Sequence, residues 1–237
     1  MYTILDIETT GGQYNEEGIT EIAIYKFDGH EVVDQFISLV NPEKPIQPFV
    51  VKLTGINNAM LRSAPKFYEV AKRIIEITEG TIVVAHNASF DYRILQTEFR
   101  RLGYDFKKQT LCTVELSKKL IPDQASYSLG KLVRALGIPM ADRHRASGDA
   151  LATVKLFKML LAKDVEKEIL KSFVKTEIKS GMSPKLLDIV ENLPSKTGIY
   201  YIHNEKGDLI YIGKSKNIKK RVNQHFTGTN SKSKKIQ

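Results

Sequence analysis

Five short segments in the first half of the chain have the hydrophobic pattern of β-strands. Residues 2–7 alternate and then run apolar into acids, and Asp28-Gly29 separates two β-rich runs as a hairpin turn does. The run at 81–85 is continuously apolar, which is typical of a buried strand. The predicted strands are residues 2–7, 19–27, 32–40, 81–85 and 108–112.

Segments with a helical period lie between and after these strands. Ser63 and Pro65 suit the start of the first, and glycine follows several of them. A hairpin followed by alternating helices and strands predicts an α/β domain with a mixed five-stranded sheet flanked by helices. The predicted helices are residues 64–77, 89–102, 113–120, 128–136 and 145–162.

The pattern changes towards the end of the chain. A highly charged segment at 163–179 and a shorter one at 185–193 predict helices, and a new β-rich unit begins at Lys196. The tail at 227–237 has no periodicity, so we expect it to be disordered. We predict a first domain at 1–165, a helical linker at 166–194 and a partial small α/β unit at 195–237.

The net charge of +9 is concentrated in the last third of the chain. Residues 1–162 hold 20 Lys/Arg against 19 Asp/Glu, whereas residues 163–237 hold 16 against 8. A basic surface suits a polyanionic partner such as nucleic acid. A solvated lysine-rich surface is the alternative interpretation.

Membrane insertion and disulfide chemistry are both disfavoured. No run is apolar for long enough to cross a bilayer, and residues 1–6 enter a strand without the layout of a signal peptide. The chain has a single cysteine, Cys112, which excludes an internal disulfide and a cysteine zinc cluster. We predict that Cys112 is a buried apolar residue. These features favour a cytoplasmic protein with no membrane partner.

Two acids stand on one face of the first predicted strand. Strand alternation places Asp6 and Glu8 together while Ile7 faces the core. Carboxylates this close repel each other unless cations lie between them, and oxygen ligands suit Mg²⁺ or Mn²⁺ rather than zinc. A strand that ends in solvated acids is the alternative.

Further polar residues follow strand 81–85 and precede the helix at 145–162. Asp91 is a metal ligand or a helix cap. His86 and Asn87 line a substrate groove or satisfy backbone groups. Asp149 projects from the first helical turn, and His144 lies in the preceding loop. Imidazole titrates near neutral pH and suits a general base, although a surface histidine is the alternative.

Taken together, these segments resemble the DEDDh group of 3′–5′ exonucleases, including the proofreading epsilon subunit of DNA polymerase III. The resemblance covers about residues 1–165. It rests on Asp6-Ile-Glu8-Thr-Thr-Gly, His86-Asn-Ala-Ser-Phe-Asp91, His144-Arg-Ala-Ser-Gly-Asp149 and Leu53-Thr54-Gly55-Ile56. It implies a ribonuclease-H-like fold and the removal of nucleotides from 3′ ends.

The resemblance also implies roles for individual residues. Asp6, Glu8 and Asp149 would hold one of two Mg²⁺ or Mn²⁺ ions, and Asp6 would bridge to the second ion with support from Asp91. His144 would activate the attacking water. The residues expected to contact nucleic acid are Thr9, Thr10, Leu53, Thr54, His86, Asn87 and Phe90.

One position departs from the family pattern. Relatives usually carry a large apolar residue after Thr-Thr-Gly, where it can wedge beside the terminal base. This chain has Gly12 there, followed by the polar residues 13–17. The family pattern therefore does not identify which residue of this chain contacts the terminal base.

The C-terminal segment resembles the start of a GIY-YIG endonuclease domain, especially that of UvrC. The match consists of Gly198-Ile-Tyr200, Tyr211-Ile-Gly213, Lys214, Asn217 and Arg221, and an ordinary aromatic hairpin is the alternative. The family implies that Tyr200 and Tyr211 lie near the scissile phosphate and that Arg221 stabilises its charge. His225 either assists them or is a surface histidine.

The family's metal-binding glutamate has no candidate in this segment, because the last acid is Asp208. We therefore expect a fragment of a longer protein or an incomplete second domain. We expect DNA binding by Lys214 to Arg221 without endonuclease activity.

Three functions are compatible with these motifs, charges and resemblances. The first is a metal-dependent 3′–5′ exonuclease acting on single-stranded or frayed DNA 3′ ends, in proofreading or repair, with a DNA polymerase subunit or repair proteins as partners. The second is an RNA 3′–5′ exonuclease. The third is a non-catalytic module that binds nucleic acid or a polymerase, and the clustered acids with His144 count against it. The GIY-YIG segment favours DNA.

Overall fold

The computed structural model describes residues 1–141, 143–175, 189–190, 192–204 and 207–227. The chain divides into two compact units, Met1–Thr176 and Glu177–Gln237. Each unit has its own sheet and its own hydrophobic core.

The first unit is built on five strands: β1 (Tyr2–Thr9), β2 (Ile19–Phe27), β3 (Val32–Leu39), β4 (Ile82–Ala85) and β5 (Thr110–Cys112). Their order in the sheet is β3-β2-β1-β4-β5. β2 is antiparallel to both β1 and β3, whereas β4 is parallel to both β1 and β5. The predicted mixed five-stranded sheet is confirmed.

Eight helices belong to the described part of this unit: α1 (Pro48–Thr54), α2 (Asn58–Leu61), α3 (Phe67–Ile77), α4 (Ala88–Arg101), α5 (Thr113–Leu120), α6 (Leu129–Ala135), α7 (Ala146–Lys163) and α8 (Glu168–Phe173). Five of them correspond to the helices predicted from periodicity. No helix in the described part of the chain is long and apolar enough to cross a membrane.

Backbone chemistry explains one helix that the sequence pattern did not predict and one that begins later than predicted. α1 forms in a proline-rich segment because Pro48 occupies the first turn, where its missing N–H is not needed, and Gly55 ends the helix at φ 74°. α3 begins at Phe67 rather than at residue 64, since Lys66 is extended and its N–H donates to the Glu69 carboxylate at 2.7 Å.

The two faces of β1 pack against different helices. Tyr2 and Ile4 join the core that α7 covers, whereas Leu5 and Ile7 join the core formed with α3 and α4. Because side chains alternate along a strand, residues 6 and 8 continue the face of β1 that packs on α7. The strand therefore carries its two acids towards the start of α7.

The beginning of the predicted linker packs on the first unit. Leu170 in α8 is buried in the core that α7 covers, and Lys175 forms an antiparallel bridge with Thr110. The charged segment is not one continuous helix, because the Asp164 carboxylate accepts the Leu170 N–H at 2.6 Å across a turn. The domain boundaries at residues 165 and 194 stay predictions.

Two predicted features fall outside the described residues. Most of the predicted helix at 185–193 and the predicted tail after Thr227 lie there.

Cys112, which we predicted as buried, is partly exposed at the end of β5.

The described part of the second unit is a hairpin followed by a helix: β6 (Gly198–His203), β7 (Leu209–Ser215) and α9 (Ile218–Thr227). Tyr200, Ile218 and Val222 form its small core with Val190. A Cβ atom at Gly198 would lie 2.8 Å from Ile218 Cδ1, so this glycine makes room for the helix.

Candidate active site

Three carboxylates converge where β1 meets the start of α7. Asp6 and Glu8 come from β1, and Asp149 comes from the first turn of α7. Each offers an oxygen atom within 4.8 Å of those of the other two. The strand alternation and the helix start predicted from the sequence therefore bring these residues together.

Asp91 is held against the same strand. Its side chain is only 4% exposed, and its Oδ1 accepts the backbone N–H of Ile7 at 3.1 Å. Ile7 lies between Asp6 and Glu8, so α4 fixes a fourth carboxylate beside the strand that carries the first two. The hydrogen bond orients Asp91 and leaves its second oxygen free of that contact.

The pKa values of these acids are raised. Burial raises the pKa of Asp6 well above its usual range, and the nearby charges of Asp91, Asp149 and Glu8 raise it further. Burial, followed by the charge of Asp149, raises the pKa of Glu8 to about 8. Burial raises the pKa of Asp91 to about 7 and also raises that of Asp149.

Such a cluster fits a divalent cation. Four neighbouring acids resist ionisation because their negative charges repel one another. A cation that replaces their protons removes this repulsion and stabilises the ionised carboxylates. Their donors are all oxygen atoms, which suits a hard ion such as Mg²⁺ or Mn²⁺. The same reasoning does not distinguish these two ions.

Glu8 should make the stability of the metal-free protein depend on pH. Its pKa rises from 4.5 to about 8 on folding, so the folded state keeps a proton that the unfolded state has released. The stabilisation is complete below the unfolded pKa and is lost as the pH rises through the folded value. Thermal unfolding in EDTA should therefore give a Glu8→Gln variant that matches the wild type near pH 4 and exceeds its stability at pH 8, by on the order of a few kcal/mol.

Adding Mg²⁺ at pH 8 should stabilise the wild type more than the Glu8→Gln variant. Equal pH dependence of the two proteins in EDTA would contradict the raised pKa. Groups away from this cluster titrate in both proteins alike, so the difference between the two proteins reports on Glu8 and on the acids that its charge reaches.

His144 lies in the turn before α7 and contacts Asp149 through its backbone. Its φ is 63°, a left-handed conformation that is uncommon outside glycine, and its N–H donates to Asp149 Oδ2 at 3.0 Å. The turn thus fixes the orientation of the carboxylate. The role of the imidazole as a base stays a prediction.

An ion pair that the sequence did not reveal anchors this turn. Glu21 of β2, with a side chain only 3% exposed, accepts hydrogen bonds from Arg145 Nε at 3.0 Å and Nη2 at 2.6 Å. It also accepts the Ala146 N–H at 2.8 Å, at the first residue of α7. Glu21 pairs with Glu8 across the sheet. The pair therefore fixes the start of α7 to the strand next to β1.

Replacing Arg145 with alanine should weaken both the fold and the affinity for Mn²⁺. The Glu21 charge would remain buried without its partner, which costs roughly 2 kcal/mol or more of unfolding free energy. Asp149 would also lose its fixed position, and residues that orient ligands typically contribute about 10–100-fold in affinity. Urea unfolding and Mn²⁺ titration measure the two effects.

Arg62→Ala, at an exposed arginine, is the matched control and should change neither quantity. Full Mn²⁺ affinity in Arg145→Ala would show that the ion pair does not position Asp149. Arg145→Lys should recover part of the stability because it keeps the charge.

Both ring nitrogens of the half-buried His86 have partners within the protein. Its Nε2 donates to the Tyr127 carbonyl at 2.8 Å, and its Nδ1 lies 2.9 Å from the Thr113 hydroxyl oxygen. Burial lowers its pKa, which agrees with a neutral ring. Of the two interpretations that the sequence left open, this geometry favours the one in which His86 satisfies polar groups.

Three predicted substrate-contacting hydroxyls are also used internally. Thr10 Oγ1 donates to the Gly11 carbonyl at 2.9 Å and accepts the Gly18 N–H at 3.0 Å. Thr9 Oγ1 accepts the Gly11 N–H at 3.3 Å, and Thr54 Oγ1 donates to the Val50 carbonyl at 3.0 Å. In this conformation these hydroxyls bond to the backbone, and their contacts to nucleic acid stay predictions.

Other predicted contact residues are accessible. Leu53 and Asn87 are exposed, and the Phe90 ring is 36% exposed. Asn87 adopts φ 80° at the start of α4, so the chain turns sharply there. These three side chains are accessible to a ligand, and their contacts to nucleic acid stay predictions.

The polar insertion after Gly12 is tied to α4. Arg93 forms a two-pronged ion pair with Glu17, at 2.8 Å and 3.1 Å, and its guanidinium lies 4.2 Å from the centre of the Tyr14 ring. Arg101 donates to the Asn15 and Glu17 carbonyls. These contacts join residues more than 75 positions apart, so no local pattern predicts them.

In the second unit, the two tyrosines of the GIY-YIG pattern lie beside a histidine. Tyr200 Oη lies 2.6 Å from His225 Nε2, and the rings of Tyr211 and His225 are 4.8 Å apart. Burial raises the pKa of Tyr200, and a hydrogen bond from Arg221 opposes that rise. His225 is therefore part of this group rather than an isolated surface residue.

Strand geometry explains which residues join the group. A Cβ atom at Gly213 would lie 2.2 Å from Tyr200 Cζ, so glycine is needed where the Tyr200 ring crosses β7. Lys214 is exposed and follows Gly213 directly, so alternation places it on the opposite face. The hairpin does not bring Lys214 to the tyrosines.

Comparison with known families agrees with both units. The RNase T family model, described as Exonuclease, matches residues 3–157, and the UvrC-like GIY-YIG domain model matches residues 196–237. A Mycobacterium tuberculosis protein whose name describes a bifunctional exonuclease/endonuclease is 32% identical over 96% of this chain. A PolC-type DNA polymerase III of Caldanaerobacter subterraneus is 35% identical over 87% of this chain. The chain spans 37% and 14% of the lengths of these two relatives.

Solved structures share the architecture of the first unit. Exonuclease X, in complex with 5′ overhanging duplex DNA, is 31% identical with a TM-score of 0.56, over 70% of this chain and 93% of that chain. The nuclease domain of 3′hExo, a DEDDh family member bound to rAMP, has a TM-score of 0.60 at 20% identity, over 68% of this chain and 91% of that chain, and shows the fold alone. Since the Exonuclease model covers well over half of the sequence, the chain belongs to this exonuclease family and carries a UvrC-like GIY-YIG segment after its exonuclease domain.

Proposed function

We propose that the first unit is a metal-dependent 3′–5′ exonuclease that hydrolyses DNA at single-stranded or frayed 3′ ends. The observation that carries this proposal is the convergence of Asp6, Glu8 and Asp149 within 4.8 Å. Asp91 adds a fourth carboxylate bonded to the same strand. A purely binding module has no need of four acids facing a polyanion, because they would repel it.

The reaction follows from this arrangement. Divalent ions, when bound, stabilise the attacking and leaving oxygens of an in-line displacement. Asp6, Glu8 and Asp149 supply the ligands, with Asp91 supporting Asp6. His144 accepts a proton from the attacking water. The water oxygen bonds to phosphorus as the bond to the preceding 3′ oxygen breaks. The leaving 3′ oxygen takes up a proton from solvent water and becomes the new 3′ hydroxyl of the strand, and a nucleoside 5′-monophosphate is released.

The choice of DNA rests on the relatives. The PolC-type relative is a DNA polymerase, and Exonuclease X was solved with DNA. A role in proofreading or repair follows, with a polymerase subunit or repair proteins as partners. We propose that the second unit adds DNA affinity through its basic residues, since residues 177–237 hold 12 Lys/Arg against 5 Asp/Glu.

Matched DNA and RNA strands with a labelled 3′ nucleotide test the proposal. With Mg²⁺ or Mn²⁺, the label should appear as a mononucleotide from DNA, and EDTA should prevent its release. Faster release from RNA would instead establish the RNA exonuclease, because the 2′-hydroxyl is the main local difference between the strands. Salt-sensitive DNA binding without any turnover would contradict an enzyme and support a binding module.

A further inference from the structure

Helix α1 presents two exposed apolar side chains on one face. Phe49 is 65% exposed and Leu53 is 51% exposed, and their spacing of four residues places them side by side. Val50 and Thr54, on the other side of the helix, are buried. A single exposed apolar residue needs no explanation, but an adjacent pair beside an active site does.

The Phe49 ring lies over the backbone that continues from the acids. A Cβ atom at Gly11 would lie 3.1 Å from Phe49 Cζ and 2.9 Å from Val50 Cγ2, so the absence of a side chain at Gly11 makes room for the ring. Gly11 is only three residues beyond Glu8. The ring is therefore close to the end of β1 that carries the carboxylates.

The position of α1 relative to β1 is also fixed. The Gln47 N–H, at the start of α1, donates to the Thr10 carbonyl at 2.9 Å. A Cβ atom at Gly12 would meet no atom within 4 Å, so the backbone next to Gly11 borders open space. An exposed aromatic ring on a helix that is fixed to the end of β1 offers a surface for a flat apolar group.

We infer that Phe49 stacks on the base of the 3′-terminal nucleotide, with Leu53 beside it, and so binds the 3′ end of the strand near the carboxylates. This inference rests on the proposed exonuclease function. Every base has an aromatic face, so such stacking tolerates any sequence. A paired terminal base is already stacked in its duplex, so the contact selects single-stranded or frayed ends. The patch is far smaller than a stable protein interface, which disfavours a protein partner.

Fluorescence measures the stacking directly, without turnover. In an Asp6→Asn background, a single-stranded DNA with 2-aminopurine at its 3′ end should be quenched on binding. Adding Phe49→Ala should remove that quenching, and Phe49→Tyr should keep it. A 2-aminopurine placed far from the 3′ end should respond equally in all three proteins.

Steady-state kinetics of enzymes that keep Asp6 separate a role of Phe49 in substrate binding from a role in folding. Phe49→Ala should raise KM for single-stranded DNA about 10-fold, with kcat within about twofold of the wild type, because a contact made equally before and during reaction changes only KM. Tyr68→Ala removes an aromatic ring that is 58% exposed on α3 and should change neither parameter.

Unchanged quenching and unchanged KM in Phe49→Ala would overturn the inference while leaving the exonuclease intact. A wild type that releases no nucleotide with any divalent metal would instead overturn the proposed function. A Phe49→Ala protein that loses a bound protein partner but keeps terminal-base quenching would also overturn the inference, in favour of a protein interface.

Discussion

Replacing Asp6 with asparagine should lower the rate of 3′ nucleotide release by more than about 100-fold, since even residues that only orient metal ligands contribute 10–100-fold. Asp6 is the acid on which the other charges act most, with Asp91, Asp149 and Glu8 all raising its pKa. Asparagine keeps the shape of the side chain but carries no charge. The variant should therefore remain folded and should be more stable than the wild type in EDTA at pH 8, because one buried like charge is gone.

This combination separates a chemical role from a structural one. Asp123→Asn is the matched control, because Asp123 is exposed and its φ of 64° suits asparagine. It should release nucleotides at the wild-type rate. An Asp6→Asn protein that is fully active would contradict the site, and one that is inactive because it unfolds would show destabilisation in the EDTA melt.

Replacing His144 with asparagine should lower kcat by about 100-fold to 10,000-fold while leaving the affinity for Mn²⁺ nearly unchanged, as expected for the loss of a general base. The contact between His144 and Asp149 is made by the backbone N–H, so it survives a change of side chain. Asparagine also tolerates the left-handed φ of 63°. Single-turnover rates and Mn²⁺ titration measure the two quantities separately.

The outcome for metal affinity decides between two roles for the turn. If Mn²⁺ affinity falls together with kcat, the imidazole acts by holding the metal site rather than by moving a proton. His30→Asn, at an exposed histidine in the β2–β3 hairpin, should be indistinguishable from the wild type.

The sheet and the carboxylates were predictable because their signals are local. The run at 81–85 identified β4, and alternation over residues 6–8 placed Asp6 and Glu8 on one face. Asp149 followed from the start of a periodic helix. Each of these inferences needs only a few neighbouring residues, and tertiary packing did not override them.

Helices α1 and α2 were missed because prolines dominate residues 42–48. A usable signal was nevertheless present, since proline at the first helical position and glycine just beyond the last are typical of a helix. Pro48 and Gly55 occupy those two positions. The exposed Phe49 could not be placed beside the site without this helix.

Long-range polar contacts left almost no trace in the sequence. Glu21 is an acid within an otherwise apolar strand, and a buried charge needs a partner, but nothing local identifies Arg145 as that partner. The hydroxyl of Thr10 and both ring nitrogens of His86 find partners that only the fold supplies. Their place at the ends of strands and the resemblance to the exonuclease family suggested substrate contacts for them.

Anomalous diffraction from crystals grown with Mn²⁺ and a nucleoside 5′-monophosphate tests the central claim most directly, because it locates the ions themselves. We expect one peak within ligand distance of Asp6, Glu8 and Asp149, and a second beside Asp6 on the side of Asp91. A crystal of active protein with no peak among these carboxylates, or with its peaks elsewhere, would contradict the account.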